Sequence, residues 1–294
     1  LPFGALIEKA IMGYFSGSSG KNVFYKTSEE VEIIRTACLL VCKTLAHVGS
    51  ILKPGVTGLQ IDKAAEEFVR DHGARPAFKG YGPEENPFPG TLCVSYNDIV
   101  VHGIPGDRPF LETDIVSVDC GVELNGYYGD AAYTFAMNDV APETIELLRV
   151  TYASLYQGIK NAVVGNRVED ISFAIQDYTE RKHKYGVVRE LVGHGLGKSL
   201  HEDPQVPNYG RRGKGMVMRD GLVLAIEPMI NQKTKDVFQE NDGWTIRTRD
   251  GKPSAHYEHS VVVRKGQADI LSNHEFILDA IKNNSEMQII LPKS

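Results

Sequence analysis

The stretch DIVSVDCGVELNGYYGDAAYTFAM, residues 114–137, sets Asn-Gly at 125–126 between two apolar, β-branched runs. Asn-Gly in that setting is the strongest short hairpin signal, because a two-residue type I′ turn needs φ > 0 at both positions. With Asn125-Gly126 as the loop, Leu124 pairs with Tyr127 and Asp119 lies opposite Ala132. Asp130 is two residues from Ala132, so it shares a face with Asp119, diagonally and about 7–8 Å away at the backbone. Asp119 follows the apolar IVSV and Asp130 precedes AAYTF, and the pattern buries both. Two buried carboxylates on one face repel each other and lose hydration, so their pKa values rise unless a cation holds them. Asp130, which follows Gly129, has a turn-capping role as its other reading.

The arrangement recurs. Glu227 ends the apolar run GLVLAIEPMI, and Glu258 opens another in HYEHSVVV. A salt bridge to Lys or Arg is one way to hold such an acid; a metal is another. The glycine-rich ELVGHGLGKSLHEDPQV, residues 190–206, adds His194 and His201. It is not a phosphate loop, since Val192 stands where the first glycine of that motif must be. A histidine between glycines is by itself more often a turn residue than a ligand. Beside four acids, His194 completes an oxygen-rich set with one nitrogen, suited to Mn, Fe, Co or Zn. Four carboxylates carry a charge that two divalent ions balance and one does not. A dinuclear centre from Asp119, Asp130, His194, Glu227 and Glu258 therefore satisfies the electrostatics.

The rest of the chain reads as ordinary globular protein. It has 294 residues, 42% of them hydrophobic, which is ample for a buried core. A net charge of −6 excludes the basic footprint of a nucleic-acid binder. No apolar run is long enough to span a membrane. Cys38, Cys42, Cys93 and Cys120 form no C-x-x-C pair and read as reduced thiols of a cytoplasmic protein. Residues 1–22 make a poor signal peptide, and SGSSG at 16–20 reads as a flexible linker, an extension or an artificial one. Helices are expected over 28–52 with Ser28 as N-cap, over 59–73, and over about 142–163 and 168–184. GVTGLQIDKAAEEF at 55–68 loosely echoes GNRVEDISFAIQDY at 165–178, and TDIVSVDCG echoes RDGLVLAIEP. Duplication would give each half two helices and a strand pair, with the acidic ends meeting between the halves.

The five candidate ligands, in this order, resemble the metal set of the type I methionine aminopeptidases of the creatinase/prolidase-like family. NDIVVHGIP, VDCG…NGYYGD, GHGLGKSLHEDPQV, AIEPM and GWTIRTRDGKPSAHYEHSVVV all resemble family motifs, across residues 24–272. The resemblance implies an α+β pita-bread fold, with pseudo-twofold duplicated helices outside a curved, mostly antiparallel sheet. It makes 23–272 one catalytic domain and 273–294 a tail, which adds a short helix. It implies a Co-, Mn-, Fe- or Zn-dependent, cytoplasmic, monomeric aminopeptidase that removes initiator methionine from nascent chains whose second residue is small, with a ribosome contact. Asp119 would chelate one ion, Asp130 and Glu258 would bridge both, and His194 and Glu227 would complete the other shell. A water between the ions would attack, with Glu227 as proton acceptor and donor. His201 would contact the scissile carbonyl and His102 the scissile amide. The methionine pocket would include Phe78, Tyr81, Phe88, Cys93, His102, Leu200, His201 and Trp244. A monovalent cation would bind near the Asn97 and Ser254 carbonyls.

Four departures stand out: Phe78 in place of a family Cys, Leu200 in place of Phe, His256 in place of Gln, and the lengthened loop GPEENPF. His259, adjacent to Glu258, points to the opposite face and reads as structural. The nearest alternative is a prolidase or aminopeptidase P relative with the same ligands, although those chains carry an extra N-terminal domain. A non-enzymatic binding protein on the same fold is the other.

Overall fold

The computed structural model describes residues 23–292; the extension read at 1–22 lies outside them. The first helix, α1 (Ser28–Ile51), is capped by Thr27, not by Ser28. Thr27 Oγ1 accepts the Glu30 amide at 3.2 Å and the Glu30 carboxylate accepts the Thr27 amide at 2.9 Å. Only Thr27 stands three residues before an acid that can return the bond, which decides the boundary. α2 (Gly58–Asp71) is capped in the same way by Thr57 and Gln60. α3 (Pro142–Ile159) starts with proline at its first turn, where a missing N–H costs nothing. α4 (Val168–Gln176) runs on as a π-helical turn, Asp177–Lys182, so the helical stretch over 168–184 changes its hydrogen bonding part-way. α3 also ends four residues short of the expected boundary, where the Asn161 side chain bonds the Gln157 carbonyl.

The strands that frame the site are β1 (Leu92–Tyr96), β2 (Ile99–Val101), β3 (Ile115–Leu124), β4 (Tyr127–Met137), β5 (Val192–Gly195), β6 (Glu202–Pro207), β7 (Val223–Ile226), β8 (Met229–Asn231), β9 (Ile246–Thr248), β10 (Ser254–His256) and β11 (His259–Val262). Every ladder between them is antiparallel. The β3–β4 hairpin has the expected register: Leu124 faces Tyr127 and Asp119 faces Ala132. Asn125 (φ 54°) and Gly126 (φ 78°) take the two left-handed positions that the tight turn needs.

Two halves repeat. In the first, α1 and α2 accompany β1, β3 and β4, and β3 pairs with both β1 and β4. In the second, α3 and α4 accompany β5, β7 and β11, and β7 pairs with both β5 and β11. Thr57, before α2, bridges to Pro109, and Arg167, before α4, bridges to Val217. Thr57 and Arg167 lie at the spacing of the sequence echo. The halves join where β4 meets β11. The Glu258 amide donates to the Ala132 carbonyl at 2.9 Å, and Ser260 Oγ donates to the Asp130 carbonyl at 2.8 Å.

α1 packs Val31, Ile34, Val41, Leu45 and Val48, all fully buried, toward the sheet. Steps of three, four or seven residues keep them on one helix face, and each such side chain contributes roughly 1.5–3 kcal/mol of transfer free energy. The segment after residue 272 forms α5 (Glu275–Lys282), which buries Ile277 and Ile281 in the same core. Met287–Gln288 then pairs with Met137 and Ala136 on the edge of β4. No helix among the described residues is long and apolar enough to cross a membrane.

Candidate active site

Asp119 and Asp130 stand on the cleft face of the hairpin, Glu227 just past the end of β7, and Glu258 just before β11. His194 comes from β5, which pairs with β7 at Ala225. Chain duplication thus delivers acids from four strand positions to one place. His194 Nε2 lies 3.8 Å from Asp130 Oδ2 and 3.6 Å from Glu227 Oε1. Asp130, His194 and Glu258 each offer a ligand atom within 4.8 Å of the other two. His194 Nδ1 is turned back to the Gly195 carbonyl at 2.8 Å. A carbonyl only accepts, so that nitrogen carries the hydrogen and Nε2 turns a free lone pair into the acid cluster, where a cation could take it.

The electrostatics of this cluster are unfavourable as they stand. Among the described residues no Lys or Arg pairs with any of the four acids. Buried Asp119 Oδ1, Asp130 Oδ1 and Glu258 Oε1 have no hydrogen-bond partner. Burial pushes the Asp119 carboxyl up to about 7. Burial, then the neighbouring carboxylates, raises Asp130, Glu227 and Glu258 well above the usual range. Burial holds His194 down to about 4, which leaves it neutral and able to ligate. Orphaned carboxylate oxygens converging on a neutral imidazole nitrogen fit divalent cations, and the donor set suits a borderline transition metal.

The acids form the floor of a cleft of about 1010 Å³, counting its open mouth. Phe78, Tyr81, Phe88, Cys93, His102, Leu200, His201 and Trp244 all line it. Phe88 and His102 both meet Trp244 edge-on, at 5.2 and 6.4 Å between ring centroids. His102 takes a left-handed φ of 56°, a costly conformation for a non-glycine residue. Burial lowers it to about 4, so its ring is neutral. The Trp244 indole N–H donates to the Asn86 carbonyl at 3.1 Å, and Asn86 Nδ2 donates to the Asp242 carbonyl at 2.9 Å. The lengthened loop is therefore tied across the pocket rim. His201 Nδ1 lies 2.5 Å from the Tyr81 hydroxyl.

The sequence of residues 32–265 matches the model of metallopeptidase family M24. The methionine aminopeptidase of Clostridium acetobutylicum is 47% identical over 251 residues, covering 85% of this chain and 98% of that protein. The chain belongs to the methionine aminopeptidases of family M24. The crystal structure of methionine aminopeptidase from Thermotoga maritima superposes with a TM-score of 0.82 at 40% identity, over 85% of this chain and 99% of that one. A Xaa-Pro dipeptidase from Bacillus anthracis shares the fold at a TM-score of 0.67, but at 19% identity. The architecture is thus the α+β pita-bread fold of these peptidases, and the chain is a metal-dependent hydrolase.

Within that family frame, the departing residues have definite places. His256 Nε2 sits 3.7 Å from Glu227 Oε2, has no hydrogen-bond partner, and is pushed down to about 3 by burial. His259 turns into the core instead: it bonds Ser272 Oγ at 2.6 Å and stacks on His274 at 3.8 Å. Asn97 and Ser254 are neighbours, since the Asn97 carbonyl accepts the Ser254 amide at 2.9 Å. Sequence reasoning missed several apolar liners, among them Val101, Leu191, Met229, Ile246 and the polar Gln239. Val101 faces Ile246 in the β2–β9 ladder.

Proposed function

We propose that this chain removes the initiator methionine from polypeptides whose second residue is small, using two divalent ions held by Asp119, Asp130, His194, Glu227 and Glu258. One observation carries the reading: four acids without a Lys or Arg partner, Asp130 and Glu258 fully buried, converge with His194 on an apolar, aromatic-lined cleft. Two ions from the set Co, Mn, Fe and Zn match the charge of the acids, and when bound they supply positive charge that acidifies a water and polarises the scissile carbonyl. Glu227 receives the proton of the attacking water and returns it to the leaving amine. His201 donates to the carbonyl oxygen as negative charge develops there, and neutral His102 stands beside the scissile amide. Phe88, Cys93, Leu200 and Trp244 surround the thioether side chain, with Phe78 and Tyr81 at the rim.

Residues 23–272 form the catalytic domain in this reading, with 273–294 as an appended tail and 1–22 as an extension. Asn97 and Ser254 mark the place of a monovalent cation. The protein acts as a cytoplasmic monomer on nascent chains near the ribosome, and its four free, buried cysteines agree with a reducing compartment. Metal-stripped protein, titrated with each ion and assayed on Met-Ala-Ser and Ala-Pro peptides, tests the proposal. Methionine release that returns with metal, and no cleavage of Ala-Pro, is the expected result. Turnover of the proline peptide alone would make it a prolidase; no ion binding and no hydrolysis would make it a binding protein. His201→Ala should keep its metal and lose turnover by roughly 10²-fold, the usual scale for one transition-state donor. Loss of metal in that variant would reverse the roles of the two histidines.

A further inference from the structure

His194 and His201 lie side by side, their rings 4.4 Å apart, yet the groups behind them differ. Behind His194 stands a carbonyl, which fixes the hydrogen on Nδ1 and leaves Nε2 as a ligand nitrogen. Behind His201 stands the Tyr81 hydroxyl, which can donate. We infer that Tyr81 is a positioning residue: its hydroxyl donates to Nδ1 of His201 and so places the ring hydrogen on Nε2, where His201 can offer it to the substrate carbonyl. A neutral imidazole carries one hydrogen, so whichever nitrogen accepts leaves the other to donate. The inference rests on the proposed role of His201 as that donor.

The lengthened loop acquires a purpose in this arrangement. The Tyr81 amide donates to the Phe78 carbonyl at 2.9 Å, and the Phe88 amide donates to the Tyr81 carbonyl at 2.8 Å. Residues 82–87 therefore leave and return at Tyr81, and Asn86 latches them to Asp242 and Trp244. The phenol is held edge-on to the imidazole, with centroids 5.2 Å apart and planes at 71°. A side chain at a loop base, fixed by its own backbone and by a distant latch, can hold a hydroxyl where a freely moving tyrosine could not.

Tyr81→Phe keeps the ring and removes only the hydroxyl. In the metal-loaded enzyme acting on Met-Ala-Ser, the expected result is a fall in kcat of about tenfold, the lower end of the range for second partners of functional histidines, with KM within about twofold. In a His201→Ala background the same substitution should change kcat by less than about twofold, because its effect passes through that ring. Nitrogen-15 spectra of histidine-labelled protein should show His201 protonated at Nε2, with the distribution shifted in Tyr81→Phe. Wild-type enzyme that releases methionine while Tyr81→Phe matches it in kcat would overturn the inference and leave the proposed function standing. So would a change in KM alone, an equal loss in the His201→Ala background, or a hydrogen on Nδ1 of His201. Wild-type protein that releases no methionine would instead remove the role on which the inference depends.

Discussion

The hairpin β3–β4 and its counterpart β7–β11 both deliver acids to the cleft, but they are built on different plans. In the first, strands of ten and eleven residues are joined by a two-residue turn, and both acids lie within the regular ladder. In the second, two four-residue strands are separated by the whole stretch 227–258, and the acids sit just outside the ladder. That stretch carries Trp244, His256 and the rim to which the long loop is latched. The first half is mounted on a tight hairpin, and the second has grown the long connection that brings Trp244 to a pocket lined from both halves. Duplication explains how the ligands meet, and growth of one connection explains how Trp244 comes to face Phe88 and His102.

The sharpest way to break this comparison is Asp130→Asn, which removes a charge from the mount without changing its shape. It should lower methionine release on the order of 10³-fold and lower bound metal measured by elemental analysis, since supporting partners alone cost 10–100-fold. Near-normal turnover would show that the mount carries no ligand. Removal of the ions should come next in size. Without them the acids of both halves retain protons that the unfolded chain, with carboxyls near 4, would shed. Stability of the metal-free protein therefore contains a term that falls as pH rises from about 4 through about 7, where Asp119 titrates. Bound ions displace those protons, so the gain in Tm on adding metal should grow from pH 5 to pH 8. At pH 8, with ions about a hundredfold above their Kd, the gain should reach roughly 3 kcal/mol. Buried His259, which turns away from the cleft to Ser272 and His274, acts in the opposite direction, losing stability as pH falls below about 6.5 in both forms. A metal-induced gain that shrinks toward pH 8 would contradict the charge argument.

Two glycines sharpen the contrast between mount and rim. Gly243 has φ 79°, and a methyl group there would approach Asn86 Nδ2 at 2.8 Å. Gly243→Ala should loosen the latch and raise KM for methionyl peptides by roughly tenfold, about 1.4 kcal/mol in lost binding. Gly126 has φ 78° with open space around it. Gly126→Ala should cost about 1 kcal/mol of stability through backbone strain alone, seen in denaturant unfolding, with KM unchanged. If Gly126→Ala altered KM and Gly243→Ala did not, the assignment of mount and rim would be inverted.

These two plans also account for what was legible. Asn125-Gly126 fixed one register, and strand periodicity then put Asp119 and Asp130 on one face with no tertiary information. The repeated helix starts at Thr57 and Arg167 were visible as an echo because caps and amphipathic faces are local features. The Asn86–Trp244 latch and the Tyr81–His201 contact were not visible, because each joins residues more than a hundred positions apart through a loop that has no period. Met229 and Ile246 were hidden for another reason: an apolar strand residue has the same pattern whether it faces the core or a cavity. The cap of α1 was legible too, since Thr27 and not Ser28 stands three residues before an acid, Glu30, that can return the bond.

The seam between β4 and β11 has a mechanical meaning. Backbone and hydroxyl bonds stitch the duplicated lobes together beside the acids themselves, at Ala132, Asp130, Glu258 and Ser260. The seam therefore sets the span between the acids of the two lobes, a span that any ions bound there would have to match.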